Sequence, residues 1–259
     1  MRRRLLPLAI LVGGAPGCGE VQRAPDASDP GDELGSLRVG CALLLHMDEP
    51  SWGGAGSVRD ACGAGNHGTP TDVAITTTAG GVRGRAGSFL GTGCVEIADA
   101  PELRPSTQLT LSAWVRPGGL DGNKALGVIS KRADMMVQSA YNLYLWVGNN
   151  AWIDIEGERQ NSTRQLVNGR WNQLTVTYDG ARPAAERARI YVDGQFDVAR
   201  EMDAATITAH PPPLRIGCMP TEIGGTSQNF VGLLDEVAIW TRALSDPEIA
   251  QWYDLTKPP

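Results

Sequence analysis

The stretch Val231-Gly-Leu-Leu-Asp-Glu-Val-Ala-Ile-Trp-Thr-Arg-Ala-Leu244 carries an adjacent acid pair, Asp235 and Glu236, inside a run otherwise suited to a buried strand. Leu43-Leu-Leu-His-Met-Asp-Glu49 has the same form near the other end of the chain. Alternation along a strand lets one acid of each pair face solvent. A carboxylate that faces the core is costly unless it is hydrogen-bonded, paired or coordinated. Asp48, Glu49, Asp235 and Glu236 are therefore expected to accept backbone N–H groups of loops or to pair with Arg242.

The segments between these two runs read as short strands joined by turns. Gly 32 and Pro 17 are high counts for 259 residues and suit many turns. In Leu109-Thr-Leu-Ser-Ala-Trp-Val-Arg-Pro117, Leu109, Leu111, Ala113 and Val115 share one face and Trp114 points the other way. Asn142–Val147 and Trp152–Glu156 flank a Gly148-Asn-Asn-Ala151 turn and form a predicted hairpin. Trp171–Tyr178 is a further strand, and Ala188–Asp197 is a hairpin on an Asp193-Gly194 turn. Ser245-Asp-Pro-Glu248 has the form of a capping box with Pro247 in the first turn, so Asp246–Tyr253 is predicted to be a short helix. The expected fold is all-β: a two-sheet antiparallel jelly-roll sandwich with its first and last strands close together and one short C-terminal helix.

Three motifs give this order a family resemblance. Asp60-Ala-Cys-Gly-Ala-Gly-Asn-His-Gly68 corresponds to an Asp-x-Ser-Gly-Asn-Gly-Asn-His-Gly element, with Cys62 at a usually polar position. Ser112-Ala-Trp-Val-Arg-Pro117 and Tyr191-Val-Asp-Gly194 match two others. Together they resemble the bacterial LamG-like jelly-roll domains of the concanavalin A-like lectin/glucanase group, over roughly residues 43–253. Relatives of this group often bind calcium, which implies Asp48 and Asp235 as candidate ligands for a structural ion. No other cofactor is implied.

The N-terminus resembles an export signal. Arg2, Arg3 and Arg4 precede an apolar run from Leu5 to Val12 that is too short to span a bilayer. Small residues lead to Cys18, in the manner of a bacterial lipobox. Residues 1–17 are read as a signal peptide, Cys18 as the lipidation site, residues 18–36 as a solvated tether and residues 37–259 as the folded domain. Simple secretion with a free Cys18 is the alternative. Residues 20–36 are rich in Asp, Pro, Ala, Gly and Ser, which suits a tether. The expected location is the bacterial cell envelope.

Four further cysteines in an exported chain suggest two disulfides with three possible connectivities. Cys62–Cys94 and Cys41–Cys218 are expected, the first because the two are close in the chain and the second by elimination. A formal net charge of −6 disfavours nucleic acid and anionic lipid as partners.

The predicted hairpin concentrates the candidate chemistry. Leu143, Leu145, Val147, Ile153 and Ile155 fall on one face and should be inside. Tyr144, Trp146, Trp152, Asp154 and Glu156 fall on the other and should line the outer surface of the sheet. Aromatic rings stack on pyranoses while carboxylates take hydroxyls, so these five residues are the candidate ligand site. Some glucanases of the resembled group carry a Glu-x-Asp-x-Glu strand, and retaining hydrolysis needs two carboxyl groups about 5–5.5 Å apart. Trp152 stands where the first Glu would be, so no catalytic residue is assigned. The expected function is a non-catalytic binding domain, with glycan the leading ligand. Extracellular protein, a structural role and glycoside hydrolysis are the alternatives.

Overall fold

The computed structural model describes residues 34–119, 124–134, 139–146, 148–221 and 227–259. Cys18, the predicted leader, the first part of the predicted tether and Val147 lie outside the described residues. In chain order the strands are β1 Cys41–Leu45, β2 Gly68–Pro70, β3 Thr76–Ala79, β4 Arg85–Leu90, β5 Val95–Ile97 and β6 Gln108–Pro117. Then follow β7 Leu126–Arg132, β8 Ser139–Trp146, β9 Asn150–Ile155, β10 Glu158–Gln165, β11 Asn172–Asp179 and β12 Ala188–Val192. The last are β13 Gln195–Arg200, β14 Leu214–Ile216, β15 Cys218–Pro220, β16 Ser227–Asn229 and β17 Val231–Trp240, before helix α1, Asp246–Thr256.

The first sheet has the order β13-β12-β11-β6-β17-β4-β3, with β1 also paired to β17. The second has the order β10-β9-β8-β7-β14-β5-β2, and β15 and β16 form a separate ribbon. All pairings within the two sheets are antiparallel, including β1 with β17, so the first and last strands are neighbours. This is the expected sandwich. The Asp193-Gly194 turn has φ of +53° and +71° and joins Val192 to its partner Gln195, the geometry of a tight hairpin.

Alternation assigns each strand's two faces. Leu109, Leu111, Ala113 and Val115 of β6 enter the inter-sheet core, as do Leu143, Leu145, Ile153 and Ile155 of β8 and β9. The outer face of the first sheet is also dry, because α1 lies on it. Trp114 stacks on Tyr253 at 5.6 Å and its Nε1 donates to Thr256 Oγ1 at 2.9 Å. Trp252 packs edge-on against Trp240 at 5.3 Å and its Nε1 donates to Ser112 Oγ at 3.0 Å. Leu34, Leu37 and Leu44 complete this second cluster. The Ser245 N–H donates to the Glu248 carboxylate at 2.8 Å, which fixes the start of the helix.

The acid pairs sit at a partner switch. Val231–Leu234 of β17 pair with β4, whereas Val237–Trp240 pair with β1 on the same edge. Between them the register with β6 slips, and Glu236 has φ +47°. Such a bulge takes both acids out of simple alternation, and Asp235 and Glu236 are both buried. Asp235 Oδ2 accepts the N–H groups of Val82 at 2.7 Å and Arg83 at 3.3 Å, and its Oδ1 accepts that of Glu236 at 2.9 Å. Asp48 accepts the Arg85 N–H at 2.6 Å. Glu49 accepts the Arg59 N–H at 2.6 Å and Trp52 Nε1–H at 2.9 Å. Glu236 meets His46 Nδ1 at 2.8 Å. Arg242 pairs instead with Glu248 at 2.8 Å, a correction to its expected role.

The disulfides are Cys41–Cys62 and Cys94–Cys218, with Cα separations of 5.7 and 5.4 Å. The expected pairing of Cys62 with Cys94 and Cys41 with Cys218 is therefore corrected. The Asp60–Gly68 loop folds back on β1, where Leu44 N–H donates to Asp60 Oδ1 at 3.1 Å and Ala61 N–H to Leu44 O at 2.8 Å. That contact brings Cys62 to Cys41. β5 pairs with β14 through Val95 and Ile216, which brings Cys94 beside Cys218. Nearness in the chain was the wrong guide because strand pairing sets the distances.

Two properties of this framework are measurable, its cysteine pairing and its response to pH. Peptide mapping without reduction should recover linked Cys41–Cys62 and Cys94–Cys218 peptides, and a Cys62–Cys94 peptide would contradict the fold. Replacing Cys94 and Cys218 by Ser should cost about 2–5 kcal/mol in urea denaturation.

The second prediction concerns pH. Burial, reinforced by the Glu236 charge, pushes the Asp235 carboxyl up to about 8 against its three backbone donors. Burial pulls the His46 imidazole down, but the Glu236 hydrogen bond and the charges of Glu236, Asp48 and Asp235 outweigh it and raise it. A raised carboxyl means that the folded state holds a proton the unfolded chain has released. Its stabilisation is complete below the ordinary carboxylate range and is lost as pH rises towards 8. A raised histidine loses its contribution as pH climbs through its folded value above 6.5. Asp99, held at about 2 chiefly by Arg104, and Glu248, held at about 2 chiefly by Arg242, do not titrate in that window. The melting temperature should fall between about pH 5 and about pH 8, where the unfolded chain has released the Asp235 proton and the folded state still holds it. Asp235→Asn and His46→Gln should each flatten the fall, and a flat wild-type profile would remove this account.

Candidate functional site

The outer face of the second sheet carries the predicted ligand residues in register. Asp154 pairs with Asn142 on one side and Arg159 on the other, and Trp152 pairs with Tyr144 and Asn161. Tyr144 and Trp152 lie nearly parallel at 6.2 Å, and Trp146 leans on Trp152 at 5.2 Å. The three rings form a short ladder across β8 and β9.

This face is only partly open. The β15–β16 ribbon lies against β7, and Met219 packs with Ala125 and Tyr144 in a small cluster that Trp146 and Trp152 flank. Cys218 of the ribbon is tied to Cys94. Tyr144 is 3 % exposed and Asp154 0 %, so the expectation that the whole set faces solvent is corrected for these two. Trp146 and Trp152 are half-buried.

Asp154 is held by charge. Its carboxylate accepts the Gly157 N–H at 2.9 Å and lies 3.8 Å from Arg132 Nη1 and 3.6 Å from Arg159 Nε. Burial raises its pKa, opposed by Gly157 and the two arginines. Arg132 is itself buried and donates from Nε to Pro220 O of the ribbon at 2.7 Å. Three buried polar atoms here lack a hydrogen-bond partner: Arg132 Nη2, Trp152 Nε1 and Asp154 Oδ2. Native interiors satisfy nearly all such groups, so these three atoms call for a partner, water or ligand, that the protein itself does not supply. A cavity of about 70 Å³ opens beside them, lined by Arg132, Tyr144, Trp146, Arg159, Met219 and Gln228 among others.

Glu156 is not on the strand face. It occupies the β9–β10 turn with φ +53°, followed by Gly157 at +86°. Its carboxylate accepts the N–H and hydroxyl of Thr208 at 2.7 and 2.8 Å. The acid spacing that suggested a glucanase strand is thus a strand residue followed by a turn residue. Neither carboxylate lines the cavity. Arg132, Arg159, Met219 and Gln228 were missed by sequence reading. Arg159 alone had a signal, its alternation with Asn161 on a strand beside the hairpin.

A larger cavity of about 480 Å³ lies at the other sheet, between α1 and the partner-switch bulge, with His46, Glu49, Arg59, Arg83, Glu236 and Trp252 in its wall. Size favours it, but Glu49 and Glu236 already hold partners there. The hairpin face is the better candidate because its unpartnered groups converge. The calcium expectation does not fit the described residues. Asp48 and Asp235 are committed to backbone N–H groups, and among the described residues no three His, Cys, Asp or Glu side chains gather to hold a metal.

Solved structures share the fold. Domain 4 of AbnA, a GH43 extracellular arabinanase from Geobacillus stearothermophilus solved with arabinotriose, superposes with a TM-score of 0.62 at 19 % identity, over 84 % of this chain and 98 % of that one. A botulinum neurotoxin type C structure, whose cell entry depends on two ganglioside molecules, matches at TM-score 0.62 and 13 % identity, over 86 % of this chain and 53 % of that one. The botulinum neurotoxin serotype D ligand-binding domain in complex with N-acetylneuraminic acid matches at 0.58 and 12 %, over 86 % and 52 %. The chain thus spans about half of each toxin chain. At these identities the likeness is one of fold. No curated protein matches the sequence. The family Laminin_G_3 matches residues 89–250, more than half of the chain, and the protein belongs to this family of the Concanavalin A-like lectin/glucanases superfamily.

Proposed function

We propose that this protein is a non-catalytic carbohydrate-binding domain that works outside the cytoplasm. The observation that carries the reading is the Tyr144–Trp152–Trp146 ladder beside a cavity lined by Tyr144, Trp146, Arg159 and Arg132, whose Nη2 has no acceptor. Half-buried rings offer flat apolar surface to a sugar ring, and the N–H groups around them donate to its oxygens. Two neighbours of the same fold support the class of ligand: one is solved with arabinotriose and another with N-acetylneuraminic acid. Two disulfides suit an oxidising compartment. Attachment at the bacterial envelope through a lipid on Cys18 is part of the proposal and rests on the leader alone.

A glycan array with the full-length protein should return a ligand, and titration calorimetry should then separate the roles of the rings. Trp146→Ala should weaken binding about 10- to 30-fold, the loss of one stacked anchor worth roughly 1.4–2 kcal/mol. Trp152→Ala should weaken it at least as much and also cost about 1–2 kcal/mol of stability, because the ring supports Tyr144 and Trp146. Wild-type affinity in both variants would remove the ladder from the site. For the anchor, mass spectrometry should find a di- or triacylated N-terminal Cys18, and an unmodified N-terminus elsewhere would overturn it.

A further inference from the structure

We propose that the hairpin site selects saccharides that carry a carboxylate, received by Arg159 and backed by Arg132; this rests on the glycan reading above. The first reason is local charge. The chain as a whole is acidic, with formal net charge −6, yet here the guanidiniums of Arg132 and Arg159 both flank Asp154, and Asp134 is the further carboxylate whose charge reaches Arg132. The second is the excess of donors. Arg132 is 98 % buried at its side chain, and its Nη2 lacks an acceptor, as does Trp152 Nε1. A ligand that completes the pattern must bring acceptor oxygens.

The third reason is the division of labour between the two arginines. Arg132 is fixed, with Nε on Pro220 O and Nη1 towards Asp154. Arg159 is the accessible one. Its side chain is 33 % exposed, it lines the cavity, and its Nε meets Asp154 at 3.6 Å, longer than a good hydrogen bond. Asp154 Oδ2 sits between the two guanidiniums as their counter-charge, which keeps both in place without saturating either. Arg159 can turn its planar fork to an incoming carboxylate and make the two parallel bonds that an ammonium cannot. Trp146 and Gln228 in the same wall leave a ring face and an amide for the rest of the sugar.

Two sources of a sugar carboxylate are distinguishable, a uronic acid and a sialic acid. Calorimetry on the full-length protein would compare oligogalacturonate with its methyl ester, and 3′-sialyllactose with its methyl ester. Each ester keeps the shape and removes the charge. In one arm the acid should bind on the order of tenfold tighter than its ester, as expected for a charge-assisted pair, and the gap should narrow as salt rises. Arg159→Gln should abolish the gap, and Arg159→Lys should keep part of it. Equal binding of acid and ester, or binding of neutral glycans alone that is lost in Trp146→Ala, would overturn the carboxylate preference and leave the glycan reading standing. A gap that persists in Arg159→Gln would overturn the assignment to Arg159. Failure to bind any saccharide would overturn both.

Discussion

Strand β17 serves two neighbours along one edge because Asp235 and Glu236 interrupt it. The chain leaving β1 and the chain entering β4 both arrive at that interruption, where backbone N–H groups are left without strand partners. Carboxylates from both ends of the chain meet this demand. Asp235 takes the N–H groups before β4, Asp48 takes the one at its first residue, and Glu236 holds His46 at the exit of β1. Gly84 belongs to the same device, since a side chain there would strike Asp48 and its φ of +57° is unfavourable to other residues. Buried acids that look like an error in a strand are thus what lets three segments share one edge.

Much of this was legible in the sequence. Period-two alternation in β6 and in the β8–β9 hairpin put the aliphatic residues between the sheets, because a slip of one residue would exchange them for the polar and aromatic residues of the outer face. The Asp193-Gly194 turn and the capping box at Ser245 are local signals and needed no tertiary information. The bulge at Glu236 was hidden, since a non-glycine residue with positive φ has no mark in the chain. Cysteine pairing was hidden for a related reason. It depends on β5 meeting β14 and on the Asp60 loop returning to β1, contacts that lie far apart in sequence.

The candidate site was legible by half. Alternation placed Tyr144, Trp146, Trp152 and Asp154 on one face, and the structure agrees. It could not show that Arg132 and Arg159 would enclose Asp154, or that Met219 would come over Tyr144 from a ribbon seventy-odd residues later (roughly the gap between the two positions). Glu156 was misplaced because the period was carried one step too far, into a turn that Gly157 announces. Local pattern predicts which way a side chain points. What then covers it is a property of the whole chain.

The arrangement of layers has a consequence for how the domain is presented. Leu34, where the described chain begins, and α1, where it ends, both pack on the outer face of the first sheet. The aromatic ladder lies on the outer face of the second, across the full thickness of the sandwich. The chain therefore enters the domain at Leu34 and leaves it from α1 on the face opposite the ladder, so neither junction crowds the rings.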